Sequence, residues 1–133
     1  MDEVKELLVK SGYTNRAVEY YLNQVNVGRI EKPTVKFIYT GPCRDTMVIY
    51  LKIESNIIKD AKFQAIGCIG TFTAGSALIE ITKGKSLEEV ENITEKDVIK
   101  HLGFMPQQEN HCALLAITTL QKALEEYEKS KKS

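Results

Sequence analysis

The chain of 133 residues has no excess of charge of either sign, few cysteines and no long apolar run. Its 18 basic and 18 acidic residues give a formal net charge of zero, so no overall basic field points to a nucleic-acid partner. No apolar stretch approaches the ~20 residues that cross a bilayer, so no membrane span is predicted. Three cysteines, an odd number, argue against a full disulfide framework.

The beginning of the sequence also lacks the features of a secretory signal. Its first six residues contain no basic region followed by an apolar segment. We therefore expect a cytoplasmic, reducing environment, in which free thiols serve metal binding or catalysis more often than crosslinking. With 43% apolar and 27% charged residues, the composition is that of a soluble globular protein, and we predict a single domain spanning residues 1–133.

The middle of the sequence predicts a β-sheet. One apolar set, Met47, Ile49, Leu51 and Ile53, alternates with Val48, Tyr50, Lys52 and Glu54. After a polar turn, residues 61–65 alternate apolar and polar side chains. An earlier extended stretch, residues 35–39, follows Pro33. A period of two with one apolar face is typical of antiparallel strands that pack on helices. The sequence therefore predicts a three-stranded antiparallel sheet.

Helical patterns lie on both sides of these strands. An extra N-terminal helix within residues 1–14 precedes a second helix that Thr14 can cap. After the strands, Ser86 and Thr94 are predicted N-caps, and Asn110 is the predicted cap of the last helix. Grouped strands followed by helices indicate an α+β fold, in which the sheet packs against several helices.

Each of the three cysteines lies in a small motif at a predicted element boundary. The motifs are Gly41–Asp45, Gly67–Gly70 and Asn110–Cys112. No two cysteines are close in sequence, so a shared site must be assembled by the fold. Three thiols, the His111 imidazole and the Asp45 carboxylate are enough ligands for a tetrahedral zinc ion or a small iron–sulfur cluster.

Each of these residues also has an ordinary structural interpretation. Asp45 could bond to turn N–H groups, and Cys68 could be a small buried apolar residue. His111 could cap a helix, with Cys112 in the core. Because all three cysteines lie at element boundaries rather than within apolar stripes, the sequence favours a shared site. His101 lies in a capped helix and is interpreted as a surface residue.

The motifs resemble those of the IscU/NifU-type iron–sulfur cluster assembly scaffolds, the family of the NifU N-terminal domain. The family patterns Pro-x-Cys-Gly-Asp, Gly-Cys-Gly-x-Ala and His-Cys-Ser-x-Leu-Ala correspond here to Pro42–Asp45, Gly67–Thr71 and His111–Ala116. Asn26–Gly28 resembles the Asn-Val-Gly after the first helix of the family. The resemblance covers residues 17–127. Three motifs in the same order with similar spacing are a specific signal.

The resemblance implies a scaffold and carrier rather than an enzyme. A transient [2Fe-2S] cluster would be built from iron and desulfurase-derived sulfur on Cys43, Cys68 and Cys112, with Asp45 or His111 as the fourth ligand. The implied partners are a cysteine desulfurase, apo iron–sulfur acceptor proteins and a second copy of the chain, and such a homodimer could hold a [4Fe-4S] cluster. Sulfur would arrive as a persulfide on an exposed thiol, Cys112 or Cys43.

The sequence departs from the family pattern at several positions. Arg44 and Ile69 replace glycines in the first two motifs. Met105–Glu109 replaces a Leu-Pro-Pro-Val-Lys loop that chaperones recognise, and its last residue reverses the charge of the lysine. This difference argues against a dedicated Hsp70-type chaperone partner.

The same residues are compatible with three other functions. A zinc-bound sulfur acceptor would use Asp45, Cys68, His111 and Cys112 as metal ligands. A thiol enzyme with a Cys/His pair would need one reactive cysteine. A structural interaction module would tolerate the loss of all three cysteines. Metal and sulfide content would separate the zinc form from the scaffold.

Overall fold

The computed structural model describes residues 2–132, with side chains for residues 3–131. In chain order the elements are α1 (Asp2–Lys10), α2 (Asn15–Leu22), β1 (Val35–Thr40), β2 (Thr46–Glu54), β3 (Ile57–Ile66), α3 (Ile69–Thr82), α4 (Leu87–Glu91), α5 (Glu95–Leu102), a 3-10 turn (Gln107–Glu109) and α6 (Asn110–Lys132). The α+β class and the N-terminal helix are confirmed. Met1 and Ser133, the ends of the predicted domain, lie outside the described residues.

The three strands form one antiparallel sheet in the order β1-β2-β3, as predicted. A two-residue turn joins β2 to β3, and its residues Ser55 and Asn56 both have left-handed backbones, with φ of 54° and 62°. Two consecutive left-handed residues are typical of the tight turns that match strand twist. Met47, Ile49 and Leu51 on the inner face of β2 are fully buried, as their alternation predicts.

Two helices, α3 and α6, cover the inner face of the sheet and carry the second and third cysteine motifs. Ala74, Ala77 and Leu78 of α3 are fully buried. A Cβ atom added at Gly75 would overlap the aromatic ring of Phe63 on β3. A glycine at this position therefore allows α3 to lie directly on the sheet. In the described part of the chain, no helix is long and apolar enough to cross a bilayer.

Local capping signals are confirmed at three helices and wrong at the last. The Thr14 hydroxyl accepts a bond of 3.1 Å from the backbone N–H of Ala17, and Ser86 and Thr94 both form capping boxes. Asn110 is instead the first residue of α6. The preceding 3-10 turn runs directly into this helix, so no extended cap residue separates them.

His101 is half-buried, so its interpretation as a surface residue is wrong. Its Nε2 atom lies 2.8 Å from the Tyr20 hydroxyl, and the two rings stack. Burial and the nearby Arg16 guanidinium lower the pKa of this imidazole. His101 therefore joins α5 to α2.

The loop at Asn26–Gly28 ties α2 to the strand that leads to Cys68. The N–H of Phe63 donates to the Asn26 carbonyl at 3.0 Å, and the N–H of Gly28 donates to the Phe63 carbonyl at 2.8 Å. The Asn26 amide also donates to the Ser76 carbonyl of α3 at 3.1 Å. The loop thus holds β3 and α3 together on either side of the second cysteine motif.

Candidate metal or cluster site

Cys43 and Asp45 lie in the tight turn between β1 and β2. The N–H of Gly41 donates to the Asp45 carbonyl at 2.9 Å, and the N–H of Arg44 donates to the Gly41 carbonyl at 3.0 Å. Arg44 has a left-handed backbone, with φ of 69°, at the position where the family pattern has glycine. The turn leaves the Cys43 thiol exposed and the Asp45 side chain half-buried against the next motif.

Cys68 lies at the junction of β3 and α3, where its extended backbone makes it the N-cap residue. A Cβ atom added to the preceding Gly67 would lie 2.6 Å from the Thr71 hydroxyl and 3.0 Å from the Asp45 carboxyl. Such contacts are too short to be tolerated without movement. Glycine at this position therefore brings the Asp45 turn and the first turn of α3 together.

Four predicted site residues meet at this junction. The Sγ atoms of Cys68 and Cys112 are 3.5 Å apart, and Asp45 Oδ2 lies 3.9 Å from the Cys68 sulfur. The potential ligand atoms of Asp45, His111 and Cys112 all lie within 4.8 Å of one another. Two sulfurs, an imidazole nitrogen and a carboxylate oxygen form a donor set that suits zinc or iron. The residues therefore fit a metal ion or a small cluster.

Cys43, the fifth predicted residue, lies beside these donors. It lines a cavity of 190 Å³ together with Asp45 and His111. The remaining walls of this cavity are largely apolar: Tyr39, Gly41, Pro42, Leu114, Leu115 and Thr118. The structure thus places an exposed thiol at an open pocket next to the other four donors.

Cys112 is fully buried, which contradicts its expected exposure as a sulfur acceptor. The first turn of α6 faces the core, and burial is the largest of the causes that raise the pKa of this thiol to about 12. A hydrogen bond with Thr71 opposes this rise. In the metal-free protein Cys112 is therefore a neutral thiol, and a metal ion must displace its proton to bind. Cys43 alone of the two proposed acceptors has the required exposure.

Thr71 is a site residue that sequence reasoning missed. It is fully buried, and its hydroxyl donates a bond of 2.6 Å to Asp45 Oδ2. The hydroxyl oxygen of Thr71 also lies 3.5 Å from the Cys68 sulfur and 3.6 Å from the Cys112 sulfur. The available signal was a hydroxyl three residues after Cys68, where the family pattern has alanine. Thr71 orients a candidate ligand and contacts two others.

We expect Thr71→Val to weaken divalent metal binding by about tenfold, because valine keeps the shape but leaves Asp45 without its hydrogen bond. A cobalt(II) titration of the metal-free protein, followed by thiolate-to-metal absorbance, measures this change. Thr71→Ser should restore most of the affinity. Equal affinities for the wild type and the valine variant would show that the hydroxyl has no role in positioning the ligand.

Comparisons with known proteins show the family of this chain. Residues 12–133 match the family model of the NifU-like N-terminal domain. The iron–sulfur cluster assembly scaffold protein IscU 1 of Archaeoglobus fulgidus is 37% identical over 116 residues, which cover 86% of this chain and 76% of that protein. The iron sulfur cluster assembly protein 1 of Trachipleistophora hominis is 34% identical over 125 residues, with coverages of 90% and 89%.

The fold is also shared with a solved structure. The crystal structure of the N-terminal part of a nitrogen-fixing NifU-like protein from Brucella abortus superposes with a TM-score of 0.66 at 15% identity, covering 87% of this chain and 94% of that one. With a family match that begins at residue 12 and reaches the last residue, the chain belongs to the NifU-like N-terminal domain family.

Proposed function

We propose that the protein is a scaffold on which an iron–sulfur cluster is assembled and from which it is passed to other proteins. The observation that carries this proposal is the meeting of Asp45, Cys68, His111 and Cys112 beside the exposed Cys43. Relatives that share the family are named as scaffolds for iron–sulfur cluster assembly. In this role the protein is a carrier, and the cluster is its cargo rather than a resident cofactor.

The cargo is a [2Fe-2S] cluster held by Cys43, Cys68 and Cys112. Thiolates are the usual ligands of such clusters. Asp45 is the fourth ligand in this proposal, with His111 as the alternative, since both lie next to the Cys112 sulfur. A carboxylate or imidazole ligand leaves one iron more exchangeable than a fourth thiolate would, which suits a protein that releases its cargo.

Sulfur enters through Cys43, because this thiol is exposed at the rim of the open cavity. The partner is a cysteine desulfurase that carries a persulfide. Attack of the Cys43 thiolate on the terminal sulfur forms a persulfide on Cys43 and frees the desulfurase thiol. Two electrons from a reductant then release this sulfur as sulfide, which joins ferrous iron. Apo iron–sulfur proteins accept the product, and a homodimer could share a [4Fe-4S] cluster.

Anaerobic reconstitution with a desulfurase, cysteine, a reductant and ferrous iron tests the proposal. We expect stoichiometric iron and acid-labile sulfide, together with charge-transfer absorbance in the visible range. The same treatment of Cys43→Ser should give neither sulfide nor absorbance. A wild-type protein that retains no sulfide after reconstitution would contradict the scaffold function.

A zinc-bound sulfur acceptor is the second candidate, and the geometry gives one observation in its favour. Asp45, His111 and Cys112 offer ligand atoms within 4.8 Å of one another, and the Cys68 sulfur is 3.5 Å from that of Cys112. These residues supply the four donors of a zinc site without Cys43. Cys43 would then accept sulfur next to the metal. Tightly bound zinc that resists replacement by iron, with no retained sulfide, would favour this function over the scaffold.

We expect Asp45→Ala to lengthen the lifetime of the bound cluster by about tenfold, equivalent to roughly 1.4 kcal/mol in the barrier to release. Removing the exchangeable carboxylate closes the route by which an acceptor ligand enters. The decay of visible absorbance in the presence of a chelator measures this lifetime. Asp60→Ala, which removes a half-buried carboxylate elsewhere on β3, is the matched control. Faster loss from Asp45→Ala would mean that Asp45 is not the release ligand.

A further inference from the structure

A buried carboxylate oxygen without a partner lies beside the cysteine site. Among the described residues, Oε2 of Glu109 is buried and makes no hydrogen bond. Leaving a polar oxygen buried and unpaired costs free energy, and the cost is larger for a charged group. Such a group calls for a partner that is present in the working state of the protein.

Glu109 lies against the same spot as the Cys112 sulfur. A Cβ atom at Gly70, in the first turn of α3, would be 2.9 Å from the Glu109 carboxyl carbon and 3.2 Å from Cys112 Sγ. The carboxyl carbon is therefore within about 6 Å of the sulfur, a range in which charges interact strongly. Because Gly70 has no side chain, Glu109 can pack against α3 beside the Cys112 sulfur.

Tyr13, in the turn between α1 and α2, lies near the same groups. Burial raises the pKa of Tyr13, and the nearby Glu109 carboxylate and the sulfurs of Cys68 and Cys112 raise it further. Tyr13 is therefore close to the carboxylate and to both sulfurs.

We propose that Glu109 is an additional ligand, which holds a divalent metal ion against the Cys112 sulfur before sulfide arrives. This inference rests on the proposed function, because it concerns the iron that enters the same site. Glu109 would hold the ion through a carboxylate oxygen, and Cys112 would hold it through a thiolate. Binding displaces the thiol proton to solvent and gives the unpaired oxygen its partner.

A carboxylate at this position suits the ion that the proposal assigns to it. Its negative charge attracts an incoming cation, and its oxygen can bind the ion directly. Oxygen ligands favour harder divalent ions such as ferrous iron over softer ions. Glu109 would therefore add metal affinity beside Cys112.

Cobalt(II) binding to the metal-free chain of 133 residues tests this assignment. Cobalt(II) has the charge of ferrous iron and shows its ligands in visible and X-ray absorption spectra. We expect Glu109→Gln to weaken binding by about tenfold or more and to remove one oxygen ligand from the cobalt coordination shell. Glu91→Gln, which makes the same charge change at an exposed position, should leave both quantities unchanged.

The possible outcomes separate this inference from the proposed function. If Glu109→Gln binds cobalt with wild-type affinity and ligand count but the wild type still assembles a cluster, the assignment of Glu109 is wrong and the scaffold proposal stands. If the wild type neither binds cobalt nor assembles a cluster, both proposals fail. Glu109→Asp, which keeps the charge but withdraws it by one methylene, should show an intermediate affinity and covers the case in which the glutamine variant does not fold.

Discussion

Cys68→Ala abolishes cluster assembly and leaves the fold intact: this is the largest functional effect we expect. Cys68 is the donor that links the Asp45 turn to Cys112, because its sulfur lies within 3.9 Å of both the carboxylate and the other thiol. Loss of Cys68 removes a soft thiolate ligand. The oxygen of Asp45 and the nitrogen of His111 are harder ligands and cannot replace it. We therefore expect cluster affinity to fall by at least about tenfold, equivalent to about 1.4 kcal/mol. Iron, acid-labile sulfide and visible absorbance after anaerobic reconstitution measure it.

The same change is expected to alter the free energy of unfolding by less than about 0.5 kcal/mol, because the Cys68 side chain is exposed. Ile66→Ala, two residues earlier and 75% exposed, is the matched control and should assemble the cluster normally. Undiminished cluster absorbance in Cys68→Ala would remove this residue from the site. Loss of the fold in Cys68→Ala would instead assign it to the core.

The largest effect on stability is expected for Gly75→Ala. An added methyl group would overlap the ring of Phe63, which is fully buried between the sheet and α3. Forcing α3 away from the sheet is expected to cost about 2–3 kcal/mol in the free energy of unfolding, typical of overpacking in a core. Chemical denaturation, followed by circular dichroism, measures this loss.

Gly84→Ala provides the comparison, since space around Gly84 is open and its φ of 82° imposes only backbone strain of about 1 kcal/mol. Adding Phe63→Leu to Gly75→Ala should recover part of the loss, because the smaller side chain makes room for the methyl group. The pair of changes then shows an interaction energy in a double-mutant cycle. If Gly75→Ala is no more destabilising than Gly84→Ala, α3 does not pack as closely as the structure shows.

Local patterns were sufficient to predict most of the fold. The alternation in residues 47–53 fixes which face of β2 is buried, and the hydroxyl of Ser86 three residues before Glu89 fixes the start of α4. Each of these signals depends on neighbours a few residues apart. The expected grouping of Cys43 with Cys68 and Cys112 in one site came instead from their positions at element boundaries and from the family resemblance, since no spacing in the sequence implies it.

The details of the site depended on contacts that local patterns do not contain. Thr71 bonds to Asp45 across 26 residues of sequence, and Glu109 lies against Gly70 from a different helix. The burial of Cys112 depends on how α6 is rotated against α3, and this rotation is set by packing along the whole helix. The boundary position of Cys112 in the sequence therefore predicted its presence at the site but not its inaccessibility.

The three thiols differ in exposure, so their rates of reaction with an alkylating reagent measure local opening of the folded protein. An alkylating reagent in solution meets Cys43 and Cys68 in the folded state, whereas the sulfur of Cys112 becomes reachable when the first turn of α6 opens. Each folded molecule should therefore show two fast labelling reactions and one slow labelling reaction. The logarithm of the ratio of the slow rate to the fast rates, multiplied by −RT, gives a local opening free energy. This free energy measures how often the first turn of α6 opens, and the measurement needs no metal, partner or mutation.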